Sequence, residues 1–290
     1  MVDQDIKKRL TDGGMDDLLA THFAHLFIRD PLVIFEEDLE KLDLTKADHF
    51  ENLQSTNWQH MRFKPPPPES QDIGWRVEFR SMEIQPTDFE NAAFSIFIVL
   101  VTRAILSFDL NFYIPIQRTT ENMQTAHARD ALHTRKFHFR KDPFPTIPQL
   151  QQQYATNGSH HPSASSPTPS WPVESEYELM TISEIINGST EGTFPGLVPL
   201  VESYLNSVNV DVETMCALQR YLDLIRKRAD GSLWTVSKWV RKFVMSHSEY
   251  KHDSVVSDKI CYDLVKAVEE MTVKEGKNGS VGWELLSAKK

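Results

Sequence analysis

Residues 74–80 read Gly74-Trp75-Arg76-Val77-Glu78-Phe79-Arg80. Apolar and charged side chains alternate, and a period of two is the mark of a strand with two unlike faces. Trp75, Val77 and Phe79 make the apolar face, and Arg76, Glu78 and Arg80 the charged one. The preceding stretch, 55–64 (STNWQHMRFK), alternates as well. Gln59, Met61 and Phe63 share one side; Trp58, His60, Arg62 and Lys64 share the other. Between the two runs, Pro65 to Pro68 stop strand pairing and favour an extended connector. The pattern predicts a β-hairpin over 55–84 whose apolar face packs on the core.

The charged face would then meet solvent or line a cavity. Arg grips carboxylates through two parallel hydrogen bonds, Lys or Arg meets phosphate, and a carboxylate such as Glu78 can hold Mg²⁺. A solvent-facing sheet with cross-strand ion pairs has the same pattern, so the pattern alone names no reaction.

Outward from the hairpin the chain reads as mostly helical. Upstream, 15–30 is a helix with Asp16 and Asp17 at its start and Pro31 as its stop; 32–51 is an acidic, solvated helix and loop. Downstream, Thr87-Asp88-Phe89-Glu90 matches a capping box. The apolar run Ala92–Leu106 follows, interrupted by Arg103, and reads as a buried core helix rather than a membrane span. A basic helix is expected at 120–135 and a short strand at 136–141. Residues 143–173, rich in Pro, Ser, Gln and His, read as a surface loop. Helices are expected at 177–187, 197–207, 211–230 closed by Gly231, 233–247 and 257–273, with a tail over 276–290. This order of elements divides the chain into a partial core over 1–142, the loop, and a helical region over 174–275, an α+β class.

Composition excludes several functions. The chain has 290 residues, 31 basic and 41 acidic side chains, and a net charge of −10. Such a balance disfavours binding to nucleic acid or to an anionic membrane. The excess is uneven, because residues 1–51 hold 6 basic and 13 acidic side chains. Cys216 and Cys261 are the only cysteines, too few for a disulfide scaffold or a cysteine zinc site, and a reducing, cytoplasmic setting is expected. No phosphate-binding glycine loop, nucleophile elbow or His-Glu-x-x-His motif occurs. His22 and His25 sit three apart on a helix without an evident third ligand, and read as structural. The cluster His127 to Lys141 reads as a solvated basic face. Cys216 falls on the polar side of its helix with Arg220, Asp223 and Lys227, opposite Met215, Leu218, Leu222 and Ile225; cations near an exposed thiol favour thiolate.

Five segments carry a resemblance: HLFIRDPL (25–32), HFENLQSTNWQHMRFKPPPP (49–68), GWRVEFRSMEIQPTDFENAAF (74–94), FRKD (139–142) and FPGLVPLVESYL (194–205). Together they are similar to the eukaryotic glutamate–cysteine ligase catalytic chain, from about residue 15 to residue 271. The resemblance implies a carboxylate–amine ligase fold like that of glutamine synthetase, a funnel of antiparallel strands with helices outside. It implies ATP- and Mg²⁺- (or Mn²⁺-) dependent joining of L-glutamate to L-cysteine through γ-glutamyl phosphate, the first step of glutathione synthesis. Glu78 matches a carboxylate of the Mg²⁺/ATP site, Arg80 the arginine that holds substrate glutamate, and Trp58 an aromatic of the substrate pocket. The strand argument adds Arg62, Lys64 and Arg76 as candidate nucleotide contacts. Many animal members of the family bind a modifier subunit, which makes Cys216 a candidate inter-subunit thiol.

Only the C-terminal half of the family chain is resembled. The upstream strands and most metal-binding glutamates have no counterpart, and one carboxylate does not support a multi-Mg²⁺ site. A non-catalytic fragment that at most binds the modifier subunit is therefore the alternative.

Overall fold

Asp3 and Asp16 each begin a helix by accepting two backbone N–H groups that the first turn leaves orphaned. Asp3 takes those of Asp5 and Ile6 at 3.0 and 2.9 Å, starting α1, Gln4–Asp12. Asp16 takes those of Leu18 and Leu19, both at 3.0 Å, starting α2, Asp17–Leu26. In this computed structural model the described residues are 1–28, 36–40, 61–64, 66–67, 69–80, 82–144, 176–189, 192 and 194–278. They divide into two compact units, Met1–Glu83 and Ile84–Lys290.

The first unit holds α1, α2, α3 (Glu36–Glu40) and the hairpin of β1 (Met61–Lys64) and β2 (Arg76–Phe79). Helices α1 and α2 are joined by a 2.8 Å Lys7–Asp17 pair. Phe23, Ala24 and Leu26 are buried on the inner side of α2. The helix expected over 15–30 is shorter, ending at Leu26 within the described residues.

The second unit contains α4 (Asp88–Phe108), α5 (Ile116–Ala126), α6 (Ala131–Thr134), β3 (Lys136–Arg140), β4 (Tyr177–Thr181), α7 (Ile182–Asn187), α8 (Leu197–Ser207), α9 (Val212–Asp230), α10 (Val236–Ser246) and α11 (Asp258–Asn278). Three apolar clusters hold it together. Phe97 and Ala104 of α4 pack with Val201 and Leu205 of α8 and with Leu222 and Ile225 of α9. Phe137 and Met180 of the small sheet pack with Leu110, Ile185 and Phe194. Ala93, Leu224, Leu233, Trp239 and Met271 join α4, α9, α10 and α11.

Three expectations need correction. The first half of the helix expected at 177–187 is a strand: β4 pairs antiparallel with β3, with Phe137 opposite Met180 and Arg140 opposite Tyr177. Tyr177 and Met180 lie three apart, which matches helical spacing as well as the two buried ends of a short strand. An open strand edge at β3 needs a partner for its N–H and C=O groups, and that requirement overrides the local pattern. The basic helix expected at 120–135 is two helices, broken where Asp130 takes a left-handed conformation (φ 52°). Finally, α4 is not buried all round. Glu90, Ala93, Phe97 and Ala104 are the buried residues of this 21-residue helix, while Ser95, Val99, Thr102 and Leu106 are exposed. By length and composition α4 could cross a bilayer, yet one face is packed into the protein core.

The capping box expected at Thr87 and Glu90 is half made. Thr87 Oγ1 accepts from the Glu90 N–H at 3.2 Å. The Glu90 carboxylate is shared: Thr87 Oγ1 donates to one oxygen at 3.3 Å and the Arg228 guanidinium pairs with the other, with no Glu90 surface exposed. Arg228 also donates to the carbonyl of Trp234.

Candidate functional site

The hairpin register places the charged residues side by side. Lys64 faces Arg76 and Arg62 faces Glu78 across the two strands. Period two puts all four, with Arg80 next along, on one face. Lys64 Nζ and Arg80 Nε both reach the Glu78 carboxylate, one on each oxygen. The Lys64 hydrogen bond and then that of Arg80 draw the Glu78 carboxyl down from 4.5 to about 2. Glu78 is thus an anion held between two cations at any ordinary pH, on a surface of net positive charge.

Lys64, Arg76, Glu78 and Arg80 are therefore brought together by the fold. Arg62 is placed on the same face by its backbone register. Trp58 lies outside the described residues, as do residues 55–60 of the first expected strand. The apolar side is a correction: Val77 and Phe79 are 47% and 50% exposed rather than packed on a core. The described strands are also shorter than 55–64 and 74–80, four residues each.

An arrangement of this kind can bind an anion. Arg80 offers a planar fork of N–H donors to a carboxylate, and Lys64 a mobile point charge to a phosphate. It does not by itself make a Mg²⁺ site. Such a site needs several oxygen donors, whereas both Glu78 oxygens already accept from cations, and no group of three or more His, Cys, Asp or Glu residues is gathered among the described residues.

The other candidates resolve differently. His25 is buried and its Nδ1–H donates to the carbonyl of Met1. Burial, and secondarily His25, keep the His22 imidazole below its ordinary pKa. His25 is thus a hydrogen-bonded structural residue, and His22 packs edge-on against the Phe23 ring. The basic stretch 127–141 is not simply a solvated face, because His133, His138 and Arg140 are tied to carboxylates. His133 Nδ1 lies 2.8 Å from Asp130, whose other oxygen takes Lys238 at 2.8 Å. Lys238 and then His133 hold Asp130 below the usual carboxylate range. His138 Nε2 meets Glu121 at 3.0 Å, and Arg118 braces the same carboxylate at 2.9 Å. Arg140, nearly buried, pairs with Glu176 at 3.0 Å. The i, i+3 spacing of Asp130 and His133 was a visible signal for one of these pairs; Lys238 and Glu176 are too distant in sequence to have given one. Cys216 is exposed, with Leu222 and Ile225 of its helix turned inward, and Cys261 is exposed too.

A mixed α+β chain with a charged antiparallel hairpin is the class that fold and site define. Residues 1–271 match the family model of glutamate–cysteine ligase, and the chain belongs to that family. It is 61% identical to a glutamate–cysteine ligase of Neurospora crassa over 95% of its own length and 41% of the relative's. It is 52% identical to the glutamate–cysteine ligase catalytic subunit of Mus musculus, covering 91% of this chain and 40% of that one. A glutamate–cysteine ligase of Saccharomyces cerevisiae is 39% identical over 92% and 38%. The chain therefore spans about two fifths of the length of these relatives.

Proposed function

We propose that the chain contributes one wall of the substrate site of a glutamate–cysteine ligase, within a glutamine-synthetase-like funnel. The reaction is ATP-dependent joining of the L-glutamate γ-carboxylate to the amine of L-cysteine, by way of γ-glutamyl phosphate. The observation that carries the reading is the Lys64–Glu78–Arg80 cluster on a hairpin of a chain that belongs to this family. Arg80 grips a carboxylate of glutamate. Lys64, with Arg62 and Arg76 beside it, neutralises charge on the phosphates of ATP, because phosphoryl transfer is mainly positioning and charge compensation. Trp58 lines the substrate pocket. Glu78 would supply one carboxylate toward Mg²⁺ or Mn²⁺ only where Lys64 or Arg80 releases an oxygen to hold a substrate anion, and the remaining ligands would come from outside the described residues. The chemistry takes place in a reducing cytoplasm, where Cys216 and Cys261 stay thiols.

Two assays test this reading. The first measures γ-glutamylcysteine formation by the purified chain, alone and with the remainder of a ligase. The second measures the glutamate KM of the active form. Arg80→Lys should raise that KM by at least about tenfold, since the two-pronged grip is lost. An unchanged KM removes Arg80 from glutamate binding.

The exposure of Cys216 and the likeness to a catalytic subunit of Mus musculus favour a second reading, binding of a modifier subunit with Cys216 at the contact. Native protein whose Cys216 has been alkylated should then lose that pairing; intact pairing would remove the thiol from it.

A further inference from the structure

The sheet of β3 and β4 has two outer edges, and side chains cover them unevenly. The Lys141 N–H donates to the Glu176 carbonyl at 3.0 Å, which fixes the alternation of an antiparallel ladder. In the observed register Phe139 with Glu178, and Phe137 with Met180, exchange hydrogen bonds, while His138, Leu179 and Thr181 turn their backbone groups outward. The Asn122 amide accepts from the His138 N–H at 2.7 Å and donates to its carbonyl at 2.9 Å. Glu184 Oε2 accepts from the Thr181 N–H at 2.6 Å. The N–H and C=O of Leu179 have no such partner among the described residues. A cavity of about 190 Å³ lies at this edge. Lys136 and Leu179 line it from one face of the sheet, Glu178 and Met180 from the other, so it passes round the free side of β4. Glu184 and Phe194 complete the lining. Both signs of charge are present. Neither Lys136 nor Glu178 has an ion pair among the described residues. Glu184 commits one oxygen, Oε2, to Thr181, and those bonds hold its carboxyl below the usual carboxylate range. Met180 and Phe194 are buried and apolar.

We infer that this cavity binds a free α-amino acid with an apolar side chain. Lys136 meets its carboxylate, Glu178 and the second oxygen of Glu184 meet its ammonium, and Met180 and Phe194 take its side chain. The outward N–H of Leu179 adds a donor for the carboxylate, and its C=O an acceptor for the ammonium, in place of the partner a further strand would supply. Charge selects a zwitterion: a bare carboxylate leaves both glutamates unmatched, and a bare amine leaves Lys136 so. Size selects a single amino acid, because sites for drug-sized ligands run to about 300–1,000 Å³, and a nucleotide exceeds this cavity. An acidic side chain would bring a further carboxylate toward Glu178 and Glu184, which disfavours glutamate. The site lies wholly in the second unit, uses none of the hairpin residues, and stands independently of the ligase reading.

The test titrates L-leucine into the purified 290-residue chain, followed by calorimetry and by proton–nitrogen NMR. One saturable site with a dissociation constant of about 1 mM or below is expected, with the Leu179 and Met180 amides shifting. Lys136→Met and Glu178→Gln should each weaken binding by at least about tenfold. Both side chains are exposed, so the circular dichroism of each variant should match that of the parent. Should a variant misfold, analogues of the ligand give the second readout on the unmodified chain. 3-Methylbutylamine lacks the carboxylate and 4-methylpentanoate lacks the ammonium, and each should bind at least about tenfold more weakly than L-leucine. Absence of saturable binding overturns the inference, as does binding that both variants leave unchanged. Shifts confined to the hairpin, or L-glutamate entering this cavity as tightly as L-leucine, overturn it too.

Discussion

Glu78 and Glu90 are carboxylates with opposite surroundings, and each exposes a different physical term. Glu78 is solvent-accessible and held by Lys64 and Arg80, which draw its carboxyl down to about 2. A folded pKa below the unfolded one means that the ion pairs favour the folded hairpin above the ordinary carboxylate range. That advantage fades as pH falls from about 4.5 through about 2. Carbon-detected NMR of the Glu78 side chain should place its midpoint near the lower value, and a midpoint near the ordinary one would mean that the cluster does not form in solution. Glu90 instead sits inside the protein with Arg228. Burial pulls the Arg228 guanidinium below its ordinary pKa, and Glu90 counters only part of that pull. Removing one partner leaves a buried charge uncompensated, which costs about 3–5 kcal/mol. Glu90→Gln should therefore lower urea stability by that order. Replacing both residues by Met should recover most of the loss, because a well-packed apolar pair of similar volume is often no less stable. Equal losses in the single and double variants would show that the cost is not one of isolated charge.

Among the elements, α7 illustrates how local chemistry can end one structure and begin another. Thr181 is the last residue of β4 and the N-cap of α7. Its Oγ1 accepts from the Glu184 N–H at 3.2 Å, and the Glu184 carboxylate returns to the Thr181 N–H at 2.6 Å. Thr181→Ala removes half of this exchange and should cost about 1 kcal/mol in equilibrium unfolding; no measurable change would mean that solvent satisfies the helix end equally well. The loop after α7 is closed by two glycines back to back. Gly196 has φ 97°, and a Cβ there would stand 2.4 Å from the Gly188 nitrogen. Gly196→Ala should thus be more damaging than Thr181→Ala, since backbone cannot yield as a side chain does. The helix expected over 177–187 runs straight through this capping box: the strand that makes Thr181 a junction pairs with β3, a long stretch of chain away, and so leaves no short-range signal.

At the scale of the whole molecule, the three apolar clusters that hold α4 and α7–α11 together all lie in the unit Ile84–Lys290. Leu222 has no exposed surface, and Leu222→Ala should cost about 2–5 kcal/mol by denaturant unfolding. Both cysteines are on the outside, so native protein should take up two equivalents of iodoacetamide without denaturant, matching the exposure of Cys216 and Cys261. The sequence by itself determined the helices at 197–207 and 211–230, the inward face of Leu222 and Ile225, and the charged set Lys64, Arg76, Glu78 and Arg80. Spacing along the chain carries that information, since side chains within a few residues share a face once the local period is known. Only the tertiary structure decided that Glu90 pairs with Arg228, that 177–181 joins a sheet, and that Val77, Phe79, Val99 and Leu106 stay uncovered. Those outcomes depend on which distant segments arrive to satisfy a charge, a strand edge or an apolar face, and short-range periodicity does not encode which segments those are.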